Sequence, residues 1–324
     1  MQLRLGSAYI SCMLAFVLWW SSPSAAAPSV VVSIKPVHSL IAGVMAGVGT
    51  PELLLHDAQS PHDLNLVPSD IRKLSRADLV FWIGQALETS MAKIVRAAVS
   101  RSKSVELLGV PGMERLQIRK SGLWDPPSDG EDGDRHGEHA AVPREQGRNG
   151  DYLQNVDPHI WLSPANASRI VRLAITELSL VDSENAANYR RNGEAVIARI
   201  LALDLDIGKK LSAVKDTPYI VFHDAYAYFE RHYGLNAVGS ISVSPERMPG
   251  MRRVQLLRGK IESLQARCVF SEPQFEPRLV RTLVEGSEAR SGRLDPLGEG
   301  LPPGPDAYFL MMNKLADALV DCLG

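Results

Sequence analysis

The residues best suited to chemistry are three histidines, each next to a proline or an aspartate. They lie in Pro61-His62-Asp63, in Asp157-Pro158-His159-Ile160-Trp161-Leu162 and in Phe222-His223-Asp224. In the second stretch Pro158 fixes its own φ and pushes Asp157 toward an extended conformation. Ile160, Trp161 and Leu162 are large and apolar, so they anchor the backbone in a core and hold His159 rigidly. Three neutral imidazoles plus one oxygen ligand form a zinc-type set, whereas more carboxylates and fewer histidines move preference toward manganese. Asp295, in Leu294-Asp295-Pro296 at the end of an expected strand, is the oxygen candidate. His38, His56 and His232 are read as surface or capped residues. Asp63 and Asp224 have two readings, as partners that orient the ligands or as caps of the helices that follow. No short motif of the H-E-x-x-H kind is present, so the fold must bring the three histidines together.

The elements around them suit that task. Residues 30–34 form a continuous β-branched run, typical of a buried parallel strand, and Lys35-Pro36 is expected to end it. A helix is expected over 38–46, then strands at 52–55, 78–83 and 104–107, with helices from Pro68 and over 91–99. After a helix over 164–180, with Ser163 as cap and Pro164 in its first turn, Asp182 or Ser183 opens a longer one. Tyr189, Val196, Ile200, Leu203, Ile207, Leu211 and Val214 form its apolar stripe. A helix of about 30 residues is roughly 45 Å long, more than one small lobe needs, which suggests a strut between two lobes. Alternation resumes with strands at 219–222, 235–241, 268–272 and 293–294, and helices at 225–233, from 249 or 250 to about 264, at 277–285 and at 305–323. This is the pattern of βαβ units. In open α/β sheets ligands bind beyond the carboxyl ends of strands, where His62, His159, His223 and Asp295 are expected.

Composition sets the outer bounds. The chain has 324 residues, 45% hydrophobic and 22% charged, with a formal net charge of −2. That is ordinary globular usage for two domains or one large one, with nothing pointing to nucleic acid. Residues 1–27 read as a cleavable export signal: Arg4, an apolar run over 10–20, then small residues to Ala27. A lipoprotein would use Cys12, but that cysteine precedes most of the apolar run. The exported chain keeps Cys268 and Cys322, read as one disulfide or as two buried thiols, with the oxidising compartment favouring the disulfide. Residues 121–150 are rich in Gly, Pro and charge and read as a mobile insert. Its His136 and His139 are either incidental or a weak secondary metal-collecting loop.

The motifs Pro61-His62-Asp63, Pro68-Ser69-Asp70, Asp157-Pro158-His159-Ile160-Trp161-Leu162, Phe222-His223-Asp224-Ala225-Tyr226 and Leu294-Asp295-Pro296-Leu297-Gly298 occur in order. Together they resemble the zinc-binding receptors of ABC uptake transporters, the ZnuA group, over nearly all of the exported chain. The resemblance implies two Rossmann-like α/β lobes with parallel sheets, joined by one long linker helix, with the metal between them. It implies a lobe over 28–181, a linker over 182–215 and a lobe over 216–324. It maps the ligand histidines onto His62, His159 and His223, and the group's C-terminal disulfide onto Cys268 and Cys322. Some relatives have a glutamate where this chain has Pro61, which leaves the fourth ligand open between Asp295 and water. Many also carry a long histidine-rich insert where this chain has only His136 and His139. The implied function is a non-enzymatic, monomeric periplasmic receptor that delivers Zn²⁺ to a membrane permease. The alternatives are a manganese or iron receptor of similar build and a zinc hydrolase. A hydrolase needs an open coordination position and a placed base, and no base stands out.

Overall fold

The computed structural model describes residues 26–55, 59–98, 104–119, 152–242, 251–275 and 278–324. Residues 1–25 of the expected 1–27 leader, His56, and the insert with His136 and His139 lie outside the described residues.

Two all-parallel sheets carry the chain. The first contains β1 (Val30–Val32), β2 (Glu52–Leu53), β3 (Leu79–Trp82) and β4 (Ser104–Glu106) in the order β2-β1-β3-β4. The second contains β5 (Tyr219–His223), β6 (Ala237–Ser242), β7 (Cys268–Ser271) and β8 (Arg290–Arg293) in the order β6-β5-β7-β8. Both orders reverse direction between their first and third strands, so each lobe has a topological switch point there. Helices α1 (Lys35–Val44), α2 (Pro68–Arg76) and α3 (Thr89–Ala98) belong to the first lobe, with α4 (Pro164–Val181) packed on α1. Helices α6 (Ala227–Tyr233), α7 (Met251–Ser263) and α8 (Arg278–Val284) belong to the second. Between the lobes runs α5 (Ala186–Leu211), and α9 (Ala307–Leu323) closes the chain against α5 and α1.

The joining helix has 26 residues, about 39 Å at the usual rise. Each residue of its expected stripe, from Tyr189 through Val214, is buried. Two glycines let the neighbours come close. A Cβ added at Gly193 would sit 2.3 Å from Ile175 of α4, and one at Gly43 of α1 would sit 2.6 Å from Val196. One continuous apolar core therefore runs from β1 and β3 through α1, α4 and α5 into β5 and α9. A second, smaller core lies between the other face of the second sheet and α7 and α8.

Some boundaries differ from the sequence reading. Helix α1 starts at Lys35, with Pro36 in its first turn, where no backbone donor is needed. Asp182 does not cap α5: it accepts from Tyr189 Oη at 2.6 Å and Asn185 Nδ2 at 2.9 Å, and the turn Ser183–Asn185 leads into the helix. Strand β8 covers Arg290–Arg293 instead of 293–294, because it is a polar, exposed edge without apolar alternation.

Cys268, at the start of β7, and Cys322, near the end of α9, form a disulfide with Cα atoms 6.2 Å apart. It closes a sequence separation of 54 residues, a loop for which chain entropy predicts about 4 kcal/mol of stabilisation. Replacing both cysteines by serine is expected to lower unfolding stability by about that amount. Affinity for the expected metal at temperatures where the variant stays folded should be unchanged, because Cys268 opens β7 while His223 closes the paired strand β5. Denaturant melts and metal titrations of the same preparation check both parts.

Candidate metal centre

Each histidine is placed by a different local device. His223 closes β5, next to the switch point between β5 and β7. His159 follows an antiparallel bridge between Gln117 and Val156, and the turn Ile160–Leu162 behind it is fully buried. Its backbone N–H donates to Asp157 Oδ1 at 3.0 Å, which folds the Asp-Pro-His stretch onto itself. His62 sits in the tight turn Pro61–Asp63, and its backbone N–H donates to Ser60 Oγ at 3.3 Å.

The three imidazoles converge. One ligand nitrogen from each of His62, His159 and His223 lies within 4.8 Å of the others. The Nε2 atoms of His159 and His223 are 3.3 Å apart. A tetrahedral metal with bonds of about 2.0–2.1 Å puts its nitrogens about 3.3–3.4 Å apart. That pair is therefore already at coordination distance. Trp161 and Phe275 meet His159 and His223 edge-on, with ring centres 5.2 and 6.1 Å away. A small cavity of about 10 Å³ opens over the site, lined by Ser60, Trp161, Phe275 and Pro296 beside the three histidines.

Carboxylates on the far side of the His159 and His223 rings choose the tautomer. His159 Nδ1 lies 2.7 Å from Asp157 Oδ1. His223 Nδ1 lies 2.8 and 2.9 Å from the two oxygens of Glu272, which directly follows β7. Tyr226 Oη donates to Glu272 Oε1 at 3.0 Å and holds it in place. With the proton on Nδ1, each Nε2 turns a lone pair toward the centre. Burial, aided by the neighbouring His223, lowers His159 to about 3, so its ring is neutral. Burial also works against charge on His223, but the Glu272 carboxylate outweighs it and raises that pKa above the ordinary value. Burial raises Asp157 to about 7. A cation at Nε2 keeps the ring proton of His159 on Nδ1 and the Asp157 carboxylate charged.

The structure leaves Asp295 outside the group of converging ligands among the described residues. Its Oδ1 accepts from the backbone N–H of Leu297 at 3.0 Å and of Gly298 at 2.9 Å, closing the turn after β8. That turn presents Pro296 O to Trp161 Nε1 at 2.8 Å, so Asp295 shapes the wall beside His159. Asp224 does not cap α6: it pairs with Arg119. Asp63 does not cap α2, whose first N–H, that of Val67, donates to Asp70 Oδ2 at 3.1 Å. His38 is buried, not at the surface, with Nε2 2.9 Å from Pro51 O. His232, part-exposed, pairs with Asp204 at 2.7 Å. The sequence reading missed Glu272 and Arg119. A glutamate closing a buried strand at a switch point was the available signal for the first. No local signal marked the second.

Two parallel α/β lobes on a shared core, with three histidines converging between them, define a metal receptor of the two-lobed binding-protein class. Residues 30–322 match the family described as "Zinc-uptake complex component A periplasmic". A protein of Brucella abortus (strain 2308) named high-affinity zinc uptake system protein ZnuA is 42% identical over 304 residues, covering 91% of each chain. A protein of Yersinia pestis with the same name is 35% identical over 312 residues, covering 96% of each. A solved structure titled "Crystal structure of ZnuA" shares the fold with a TM-score of 0.74 at 23% identity, covering 92% of this chain and all of that one. The chain belongs to the ZnuA family.

The geometry predicts a steep response to loss of the central imidazole. His159→Ala is expected to weaken zinc binding by more than about 100-fold, beyond the 10–100-fold typical of an outer partner. Competition against a chelator measures this. Zinc must also displace the proton that His223 binds above its ordinary range, so affinity is expected to fall with falling pH, starting higher than for a free histidine. Affinity flat between pH 8 and 6 would contradict that reading.

Proposed function

We propose that this chain is a high-affinity periplasmic zinc receptor that captures Zn²⁺ and hands it to an ABC transporter permease. The observation that carries the reading is the pair of Nε2 atoms 3.3 Å apart with His62 beside them. A three-imidazole set at that spacing suits zinc over manganese. The family's description and the names of its relatives support the same reading. The fourth ligand in this proposal is a water, because Asp295 is engaged in its turn. The carboxylates beside the site are engaged by the histidine rings, which supports cargo binding over hydrolysis. We therefore read the chain as a receptor and not an enzyme, acting as a monomer and without nucleic acid.

The remaining assignments follow from this function. The leader over 1–27 directs export and is then removed. Residues 28–181 form the first lobe, 182–215 the linker and 216–324 the second lobe. In the described residues no helix is long and apolar enough to cross a membrane, so the permease supplies the membrane passage. His136 and His139 are at most an auxiliary collecting loop outside the tight site. Deleting residues 129–148 is accordingly expected to leave high-affinity binding within about twofold.

The test is metal analysis and competition on untagged mature protein, with growth of a strain lacking the gene. One Zn²⁺ per chain, bound in preference to Mn²⁺, and a growth defect in chelated medium relieved by zinc are expected. Preference for manganese or iron would favour the second reading, a receptor of the same fold for those metals.

A further inference from the structure

We propose that Arg119 is a positioning residue of the metal centre, tying the loop that carries His159 to the loop that carries His223. The inference rests on the zinc-receptor reading and adds a residue to it.

Arg119 directly follows a short segment paired with the approach to His159. Ile118 N donates to Asn155 O at 2.9 Å, and Asp157 N donates to Leu116 O at 2.8 Å. His159 is two residues beyond Asp157. From this segment the Arg119 side chain, 10% exposed, crosses to the second lobe. Its Nε donates to both oxygens of Asp224 at 2.9 Å, and its Nη2 donates to Asp224 Oδ1 as well. Asp224 directly follows His223. The same Nη2 lies 2.7 Å from Glu230 Oε2 on α6, a second buried ion pair.

A second strap runs beside the first. Tyr228 Oη, also on α6, accepts from Leu116 N at 3.0 Å and donates to Asp157 O at 2.8 Å. The Arg119 fork and the Tyr228 hydroxyl therefore grip both strands of the bridge that leads into His159. Both partners lie within a few residues of His223. The separation of the two Nε2 atoms, and so the fit to a tetrahedral ion, depends on this grip. The planar guanidinium meets Asp224 as a fork, which a lysine ammonium does not reproduce.

A structural role and a positioning role predict different outcomes. Removing Arg119 alone leaves two buried carboxylates facing each other, whereas an uncharged replacement of the whole triad is tolerated in folded proteins. The informative variants are Arg119→Met, Arg119→Lys and the neutral triple Arg119→Met, Asp224→Asn, Glu230→Gln. Zinc release is followed by stopped-flow chase with a chelator, and the thermal midpoint is measured on metal-free protein.

Arg119→Met and the triple variant are expected to release zinc about tenfold faster, the scale of losing an outer partner. Arg119→Lys is expected to recover part of that loss, and the triple variant to keep a thermal midpoint close to wild type. A folded triple variant that releases zinc within twofold of wild type would overturn the proposal. So would a triple variant that no longer folds, since that outcome assigns the triad to stability. Wild-type protein that binds no zinc would overturn the receptor reading itself, and this inference with it.

Discussion

The structure turns on two imidazole nitrogens held face to face at 3.3 Å by carboxylates on the opposite edges of their rings. Two lone pairs at that distance repel unless something positive sits between or beside them. A proton can do so, and the Glu272 carboxylate makes His223 easier to protonate than an ordinary histidine while burial keeps His159 neutral. A divalent ion does it better. Burial sharpens the effect because little water reaches the rings.

Holding that arrangement is the task of the rest of the fold. The second sheet places His223 and Glu272 at the ends of adjacent parallel strands, where a switch point opens a crevice. The first lobe delivers His159 through a buried turn and a two-residue bridge. Across the crevice run Trp161 Nε1 to Pro296 O and Tyr308 Oη to Trp161 O, at 2.8 and 3.1 Å. Lys35 Nζ donates to Gly298 O and Leu301 O, both at 2.9 Å. Because the lobes share one core through α1, α5 and α9, wide hinge motion would have to break apolar packing. His62, in a short turn outside both sheets, has the lightest scaffold of the three.

Much of this was legible in the sequence, for identifiable reasons. The three histidines stood out because each interrupts a strongly apolar or proline-fixed stretch. The α5 stripe from Tyr189 to Val214 was legible because it is amphipathic over many turns. Strand β8 was not, because Arg290 to Arg293 form an exposed edge where pairing, not burial, decides the structure. Asp295 drew attention as a carboxylate at a strand end, but its oxygen serves two backbone N–H groups, and no pattern in the sequence separates those uses. Glu272 and Arg119 are defined by partners 49 and 105 residues away, a relation that only the tertiary fold supplies.

The central claim is that three imidazole nitrogens bind the ion. Zinc K-edge X-ray absorption of the mature protein loaded with one equivalent of Zn²⁺ tests it most directly. A four-coordinate site with imidazole scattering from three ligands, Zn–N bonds of about 2.0–2.1 Å and one further light atom is the result the structure predicts. A sulfur shell, a six-oxygen shell or scattering from fewer than three imidazoles would contradict it.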